Sequence, residues 1–573
     1  MFGAFLASAT LASALAGVAA GMPEKWFFWN QHLETDRQMS DFSNAVARAS
    51  AAGYDKILLS CGQDYWSFWP DARKRKLAAA VRLLRERGLG ICSGGWSIGY
   101  GAMTNYGCEY IEGAPVDGLR FVAGDGKATY VPDASAAALI PNGGFERHEK
   151  YGFPQFTFID GCVRDGWTFQ DREVRHSGEA SLRMELSPAV CKGLRRISHR
   201  INARPHRQYR FSAWVKWEGF DPKLAGLRLL VQRDRGKGKI GILDVAAPRA
   251  AASDWVKVET MFNSMDYGEL RLWVGTWESR QTGRYWVDDM KVEEVAPNQV
   301  LHAFGTPITV MRARDGNLYT EGRDFTLPAV SARTLPASAP GIELVLPPGS
   351  RIRKGEELLV SVYTPLNSGS GNDRQVSLCP SNPALYHMLR ASAERIQEAI
   401  RPDEWLLAFD EWRCGNTCAA CRARNTTLPA MIADCAAKCT DFIREISPQA
   451  RVWVWSDMFC PWENAHPDYY AVRGSCEGGL PYLRKDIGVG CWGRAVCAMD
   501  SMSMFERAGH ATFAGAFYDE SEDLADSALW LKALRANPHC AAIMYTTWRG
   551  DYRLLEKFAA LVDTTCGKRT KGT

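Results

Sequence analysis

Short apolar runs alternate with amphipathic stretches of helical period at both ends of this chain, and that alternation limits its fold more than any other feature. Trp26-Phe27-Phe28-Trp29 precedes a helical pattern over 39–52, and Lys56-Ile57-Leu58-Leu59-Ser60 precedes one over 72–87. Gly90-Ile91-Cys92-Ser93 then runs into Gly94-Gly95-Trp96. The pattern breaks and resumes late. Ser381-Asn382-Pro383 offers a capping residue and a first-turn proline, which predicts a helix to about Ile400. Leu406–Phe409, Val452–Trp455, Ile487–Gly490, Phe513–Tyr518 and Ala542–Tyr545 follow, separated by further helical patterns. Continuous apolar runs of this length suit strands buried on both faces of a parallel sheet. Three strands before the break and five after it make eight. Eight parallel strands joined by helices predict an α/β fold, the (β/α)8 TIM barrel.

The break is all-β. Residues 140–297 read as short alternating strands with frequent turns, from Pro141-Asn142-Gly143-Gly144-Phe145-Glu146 to Tyr285-Trp286-Val287-Asp288-Asp289. Residues 298–366 form a smaller β-rich segment with a hairpin signal at Asp315-Gly316. The barrel is thus expected in two parts, 21–139 and 367–573, with a β-sandwich inserted after strand three. Loops at that end of a barrel lie on its catalytic face, so the insertion is expected near the pocket mouth.

Residues 1–20 are small and apolar and end in Gly17-Val18-Ala19-Ala20, which predicts a secretory signal and a secreted or periplasmic protein. No other segment is long and apolar enough to span a bilayer. The net charge of +4 is small for 573 residues, and no basic cluster interleaves with aromatics, which argues against a nucleic-acid partner. The 17 cysteines suit an exported protein with disulfides. Cys414, Cys418, Cys421, Cys435 and Cys439 are the densest group. Two readings stay open for them: disulfides bracing the loop after the fourth strand, or zinc bound by Cys418, Cys421, Cys435 and Cys439.

The strand ends carry the chemistry. The apolar run 405–409 ends in Asp410-Glu411, and burying two unpaired carboxylates costs several kcal/mol each, roughly. The other strand ends supply Asn30 and His32, Gln63 and Asp64, Trp455 and Asp457, Trp492, Tyr518, Asp519 and Glu520, and Trp548. Rings plus carboxylates on one rim describe a sugar pocket: flat faces to stack on, and acids to bind hydroxyls and move protons. With 20 Trp the chain is rich in such faces.

Asp410-Glu411, followed by Trp455, Trp492, Tyr518 and Trp548, resembles glycoside hydrolase family 20, the β-N-acetylhexosaminidases. The resemblance covers the barrel only. It implies a retaining, substrate-assisted reaction without a catalytic cofactor and an exo-acting enzyme on a glycan. Asp410 would orient the acetamido nitrogen, and Glu411 would protonate the leaving oxygen and then activate water. Tyr518 would hold the acetamido oxygen, while Trp455, Trp492 and Trp548 would wall the pocket. The chain departs from the family where Ala408-Phe409 replace two glycines, and where Asn30 and His32 stand in place of a substrate-binding arginine. The segment 140–297 resembles family 4/9-type carbohydrate-binding modules, which implies a structural calcium near Glu146 and Asp289. Two other readings fit the same residues. One is a retaining glycosidase with Glu411 as acid/base and Glu520 as nucleophile, and the other is a barrel that binds sugar without chemistry.

Overall fold

The computed structural model describes residues 22–64, 69–99, 107–132, 140–150, 152–159, 166–186, 194–233, 241–328, 335–365, 376–467, 469–519 and 522–567. The expected signal segment 1–20 and Glu520 lie outside the described residues. Among the described residues no helix is long and apolar enough to cross a membrane.

Eight strands close into a parallel barrel: β1 (Glu24–Trp29), β2 (Lys56–Leu59), β3 (Gly90–Gly95), β4 (Glu404–Leu407), β5 (Arg451–Trp455), β6 (Gly488–Cys491), β7 (Thr512–Gly515) and β8 (Cys540–Tyr545). The ring closes where β1 pairs with β8, Trp26 opposite Met544. Strand alternation sorts the side chains. Trp26 and Phe28, Leu406, and Trp453 and Trp455 point inward and fill the barrel with Phe513. Phe27 and Trp29, Trp405 and Leu407, and Val452 and Val454 join a separate outer core. Helices α1 (Asp36–Ala51), α2 (Asp71–Glu86), α3 (Pro383–Ile400), α4 (Leu428–Ile446), α5 (Ala498–Arg507), α6 (Ala525–Ala536) and α7 (Leu555–Cys566) cover that outer layer. Helix α3 starts as its sequence predicts: Asn382 Oδ1 accepts from the Ala384 N–H at 3.0 Å, with Pro383 in the first turn. The connection from β5 to β6 differs from the expected helix. Its described residues hold only two 3-10 turns, Asp457–Phe459 and Leu480–Tyr482, and a two-residue strand, so it lies as a long loop over the carboxyl ends of the strands.

The opposite end of the barrel contains charge. Lys56 Nζ reaches Glu24 Oε2 at 2.8 Å and also Glu404, whose other oxygen accepts from Trp453 Nε1 at 2.6 Å. Burial works against the Lys56 charge, but the two carboxylates more than offset it and hold the ammonium above its ordinary value.

Between β3 and β4 the insertion is nested. Gly113–Ala123 and Lys127–Tyr130, which the sequence reading left with the barrel, pair instead into a six-stranded sheet with strands from 309–365. Gly113–Ala123 runs antiparallel to Glu357–Pro365, so the two chain crossings lie side by side. Inside this unit sits a sandwich of two five-stranded sheets around Phe211, Val215, Leu229, Leu272, Tyr285 and Val287. Cys414 and Ala471, from the loops after β4 and β5, belong to the sandwich core cluster. The sandwich therefore packs on the loops at the carboxyl end of the barrel, where the insertion was expected.

Replacing Glu404 with Ala strips Lys56 of one partner and leaves Trp453 Nε1 without an acceptor. We expect a loss of about 3 kcal/mol, read as a lower urea midpoint, with a smaller loss for Glu404→Gln.

Candidate active site

Strand β4 ends at Leu407, so Asp410 and Glu411 lie on the loop beyond it rather than on the strand itself. Glu411 adopts a left-handed backbone (φ 44°), uncommon for a residue with a side chain. That turn aims its N–H at Asp457 Oδ2, 2.8 Å away. Asp457 opens the 3-10 turn after β5 and is fully buried. It also accepts from Asn464 Nδ2 at 2.7 Å and from Trp492 Nε1 at 3.3 Å. The loop after β3 presses on the same turn from the other side. A Cβ on Gly99 would lie 2.8 Å from Trp412 Cα and 3.0 Å from the Asp410 carbonyl oxygen, so only glycine fits there.

Three carboxyl groups are thus gathered together. Atoms crowd around Asp410, and this desolvation, with the charges of Asp457 and Glu411, raises it well above the usual carboxylate range. Burial pushes Asp457 up to about 6 against the pull of its hydrogen bonds, with Glu411's charge adding to the rise. Asp410 and Asp457 interact through their charges, so they titrate as a pair that holds its proton more tightly than an isolated carboxyl group. Glu411 is partly exposed, its Oε2 ion-paired with Arg413 Nη2 at 2.7 Å. Arg413 Nη1 donates to the Tyr470 hydroxyl at 2.6 Å. Glu463, on the same β5 loop, is pushed up to about 7, first by burial and further by Asp457.

Aromatic rings stand beside these acids. Trp492 and Tyr518 stack at 6.1 Å, with planes 15° apart. Trp548 lies 6.5 Å from Trp492 and 6.2 Å from Tyr518. Tyr518 is 47% exposed, and its hydroxyl is raised by burial and by the charges of Glu411 and Asp410. Trp455 is only 3% exposed and belongs to the barrel interior, 6.3 Å from Trp492, so it forms a floor rather than the wall expected from sequence. Asp519 fixes Trp548. Its carboxylate accepts from Thr547 Oγ1 at 2.5 Å, from the Trp548 N–H at 2.9 Å and from the Arg549 N–H at 3.2 Å. The buried donors here without a protein acceptor among the described residues include the Tyr469 hydroxyl and Trp548 Nε1. Unpartnered buried donors are uncommon, and beside acids and rings they suit a polar ligand.

The other predicted residues fall differently. His32 is exposed, its Nδ1 2.9 Å from Arg73 Nη2, and none of its hydrogen bonds reaches the acids. Asn30 is half-buried on the β1 loop, with its backbone beside the Tyr552 hydroxyl. Glu146 accepts from the Glu179 N–H at 3.0 and 3.1 Å, and Asp289 contacts Ser177 Oγ at 2.8 Å and His176 Nδ1 at 2.6 Å. Both meet the turn 176–179 with protein groups on their oxygens. The expected disulfides are absent among the described residues, where all 15 cysteines are free. The four-cysteine set read from sequence also divides, because Cys418 and Cys421 gather with Cys379 while Cys435 and Cys439 do not join them. Arg413, Asn464, Glu463, Tyr469 and Tyr470 were not singled out from sequence. Arg413 follows Glu411 by two residues, but the others belong to an irregular loop with no motif. A separate cavity of about 510 Å³, between the sandwich and the six-stranded sheet, is lined by Tyr130, Arg210, Glu293 and Glu294 and includes none of the acids above.

No protein-family model matches the sequence, and no curated protein matches it. Solved structures do. The CBM22-1 xylan-binding domain from Paenibacillus barcinonensis Xyn10C is 18% identical over 22% of this chain and 80% of its own, with a TM-score of 0.17. TmCBM61 in complex with β-1,4-galactotriose is 15% identical over 27% of this chain and 96% of its own, with a TM-score of 0.19. The C-terminal family 22 carbohydrate-binding module of Clostridium thermocellum Xyn10B is 15% identical over 28% and 97%, also at 0.19. At these scores the likeness carries no argument about this chain, and the functional reading rests on the site itself.

Asp519→Ala removes the acceptor for three donors that fix Trp548. We expect a loss of about 2 kcal/mol in denaturant unfolding, with less than half of that for Asp519→Asn.

Proposed function

We propose that this chain is an exported glycoside hydrolase built on a TIM barrel, acting on terminal β-linked N-acetylhexosamine. The observation that carries the reading is the set Asp410, Glu411 and Asp457, in which burial and neighbouring charge raise Asp410 and Asp457, beside the rings of Trp492, Tyr518 and Trp548. A sugar ring stacked on those faces would present its glycosidic bond to the acids. The unpartnered Tyr469 hydroxyl and Trp548 Nε1 would donate to its hydroxyl groups.

Glu411 takes the role of proton donor; it and Asp410 are part-exposed, with the buried Asp457 behind them. The proton held by the set passes through Glu411 to the leaving oxygen as the C1–O bond breaks. The acetamido oxygen of the same sugar closes on C1, giving an oxazolinium ion whose charge the carboxylates offset. Glu411 then takes a proton from water, which attacks C1, reopens the ring and restores the acid. Arg413, itself bonded to the Tyr470 hydroxyl, would hold the Glu411 carboxylate in position. Tyr518, whose hydroxyl feels the charges of Glu411 and Asp410, would hold the acetamido oxygen. The sandwich, seated on the β4 and β5 loops, would present glycan chains to this mouth.

Turnover of aryl β-N-acetylhexosaminides, and not of the matching sugars without the acetamido group, tests the substrate. Glu411→Gln should lower kcat by about 1000-fold. Full activity in that variant, or equal turnover of both sugar classes, would sink the mechanism. A second outcome follows from the charges. Asp457 raises Asp410, so Asp457→Asn, which keeps an acceptor for the Glu411 N–H, lets the remaining acids lose their proton sooner. The alkaline limb of kcat/KM should move to lower pH, and a limb that stays in place or rises would show that Asp457 does not belong to the titrating set.

A further inference from the structure

Cys379, Cys418 and Cys421 are all buried, and their sulfurs converge. Cys379 Sγ lies 3.7 Å from Cys418 Sγ and 3.6 Å from Cys421 Sγ. These separations are far beyond a disulfide bond of about 2.05 Å. They match four ligands at the corners of a tetrahedron around zinc, where bonds of about 2.3 Å place neighbouring sulfurs about 3.8 Å apart. Local structure supports the arrangement. Cys418 caps the short helix Ala419–Ala423, and its Sγ accepts the Cys421 N–H at 3.4 Å. Buried cysteines ordinarily act as small apolar residues, but these three turn toward one another and toward polar groups. Ser381 Oγ is 3.2 Å from Cys421 Sγ.

A carboxylate stands beside the group, farther out than the three sulfurs are from one another. Glu112 is 3% exposed and lies beside Cys418 and Cys421. The N–H groups of Thr417 and Cys418 donate to its Oε1 at 2.5 and 3.2 Å, while its Oε2 is buried with no hydrogen-bond partner. A carboxyl oxygen left without a donor at that depth is costly unless something else binds it. We infer that Cys379, Cys418, Cys421 and Glu112 form a structural zinc site with a closed shell of four protein ligands.

Its place in the fold explains what it would do. Glu112 precedes the first strand of the insertion, and Cys379 lies where the chain returns to the barrel. The two crossings already touch through the Glu112 N–H and the Ser377 carbonyl, 2.9 Å apart. Cys418 and Cys421 come from the loop that carries Asp410 and Glu411. A metal bound here would tie both roots of the insertion to the acid-bearing loop, and thereby help seat the sandwich beside the site.

The test uses the full chain, purified from zinc-supplemented culture without chelator. Elemental analysis should find about one zinc ion per chain. Exchange with cobalt should produce thiolate-to-cobalt charge-transfer bands and tetrahedral visible bands. Cys379→Ser, Cys418→Ser and Cys421→Ser should each lose the ion, whereas Cys435→Ser and Cys439→Ser should keep it. Glu112→Gln should raise the zinc dissociation constant by about tenfold or more. If the cysteine variants do not fold, the metal content and cobalt spectrum of the unaltered chain still decide. A loaded chain with no zinc and no cobalt–thiolate bands, or peptide mapping that finds two of the three cysteines in a disulfide, would overturn the site. A Glu112→Gln chain that binds zinc as tightly as the unaltered chain would overturn the fourth ligand.

Discussion

The bond from the Glu411 N–H to Asp457 Oδ2 joins the loops after β4 and β5, and the candidate site depends on it. It holds Glu411 in a left-handed conformation that would otherwise cost of order 1 kcal/mol. It also places the buried Asp457 carboxylate against Asp410, whose charge adds to the rise that desolvation gives that group. Neither effect survives alone: without Asp457 the turn loses its anchor, and without the turn the acids separate. The barrel underneath supplies the rigidity, because inward residues such as Trp453 and Trp455 leave the strands little room to shift.

Around this bond the loops are fixed one by one. Gly99 lets the β3 loop press on Trp412, Asp519 fastens Trp548, and Ser456 Oγ accepts the Trp492 N–H at 3.3 Å. The sandwich reaches the same place. Its Tyr267 hydroxyl donates to the Tyr470 carbonyl oxygen at 3.4 Å, and Asp266 lies 3.5 Å from Arg473 Nε. Tyr470 in turn meets Arg413, the partner of Glu411. A short chain of contacts therefore runs from the inserted domain to the acid, which makes the insertion part of the site's support.

The sequence was legible where burial repeats with a period. Phe27 against Phe28 and Val454 against Trp455 sort by strand alternation, so eight strands could be counted and placed in a ring. The Asp410-Glu411 pair stood out because apolar strands do not end in acids without reason. What resisted reading was set by contacts between distant segments. Gly113–Ala123 resembles a barrel edge until Glu357–Pro365 pairs with it. Trp455 resembled a wall because its inward direction depends on strand register. Tyr469, Asn464 and Glu463 lie on an irregular loop whose path no local pattern specifies, and the partnership of Cys379 with Cys418 and Cys421 spans the whole fourth strand.

The most direct measurement is a crystal structure of the chain with an N-acetylglucosamine thiazoline, a mimic of the oxazolinium ion. The account predicts the sugar against Trp492, Tyr518 and Trp548, its thiazoline ring beside Asp410, and the Glu411 carboxyl within hydrogen-bond reach of the position where the leaving oxygen would stand. A sugar bound only on the sandwich, or none at the barrel rim at saturating inhibitor, would contradict it.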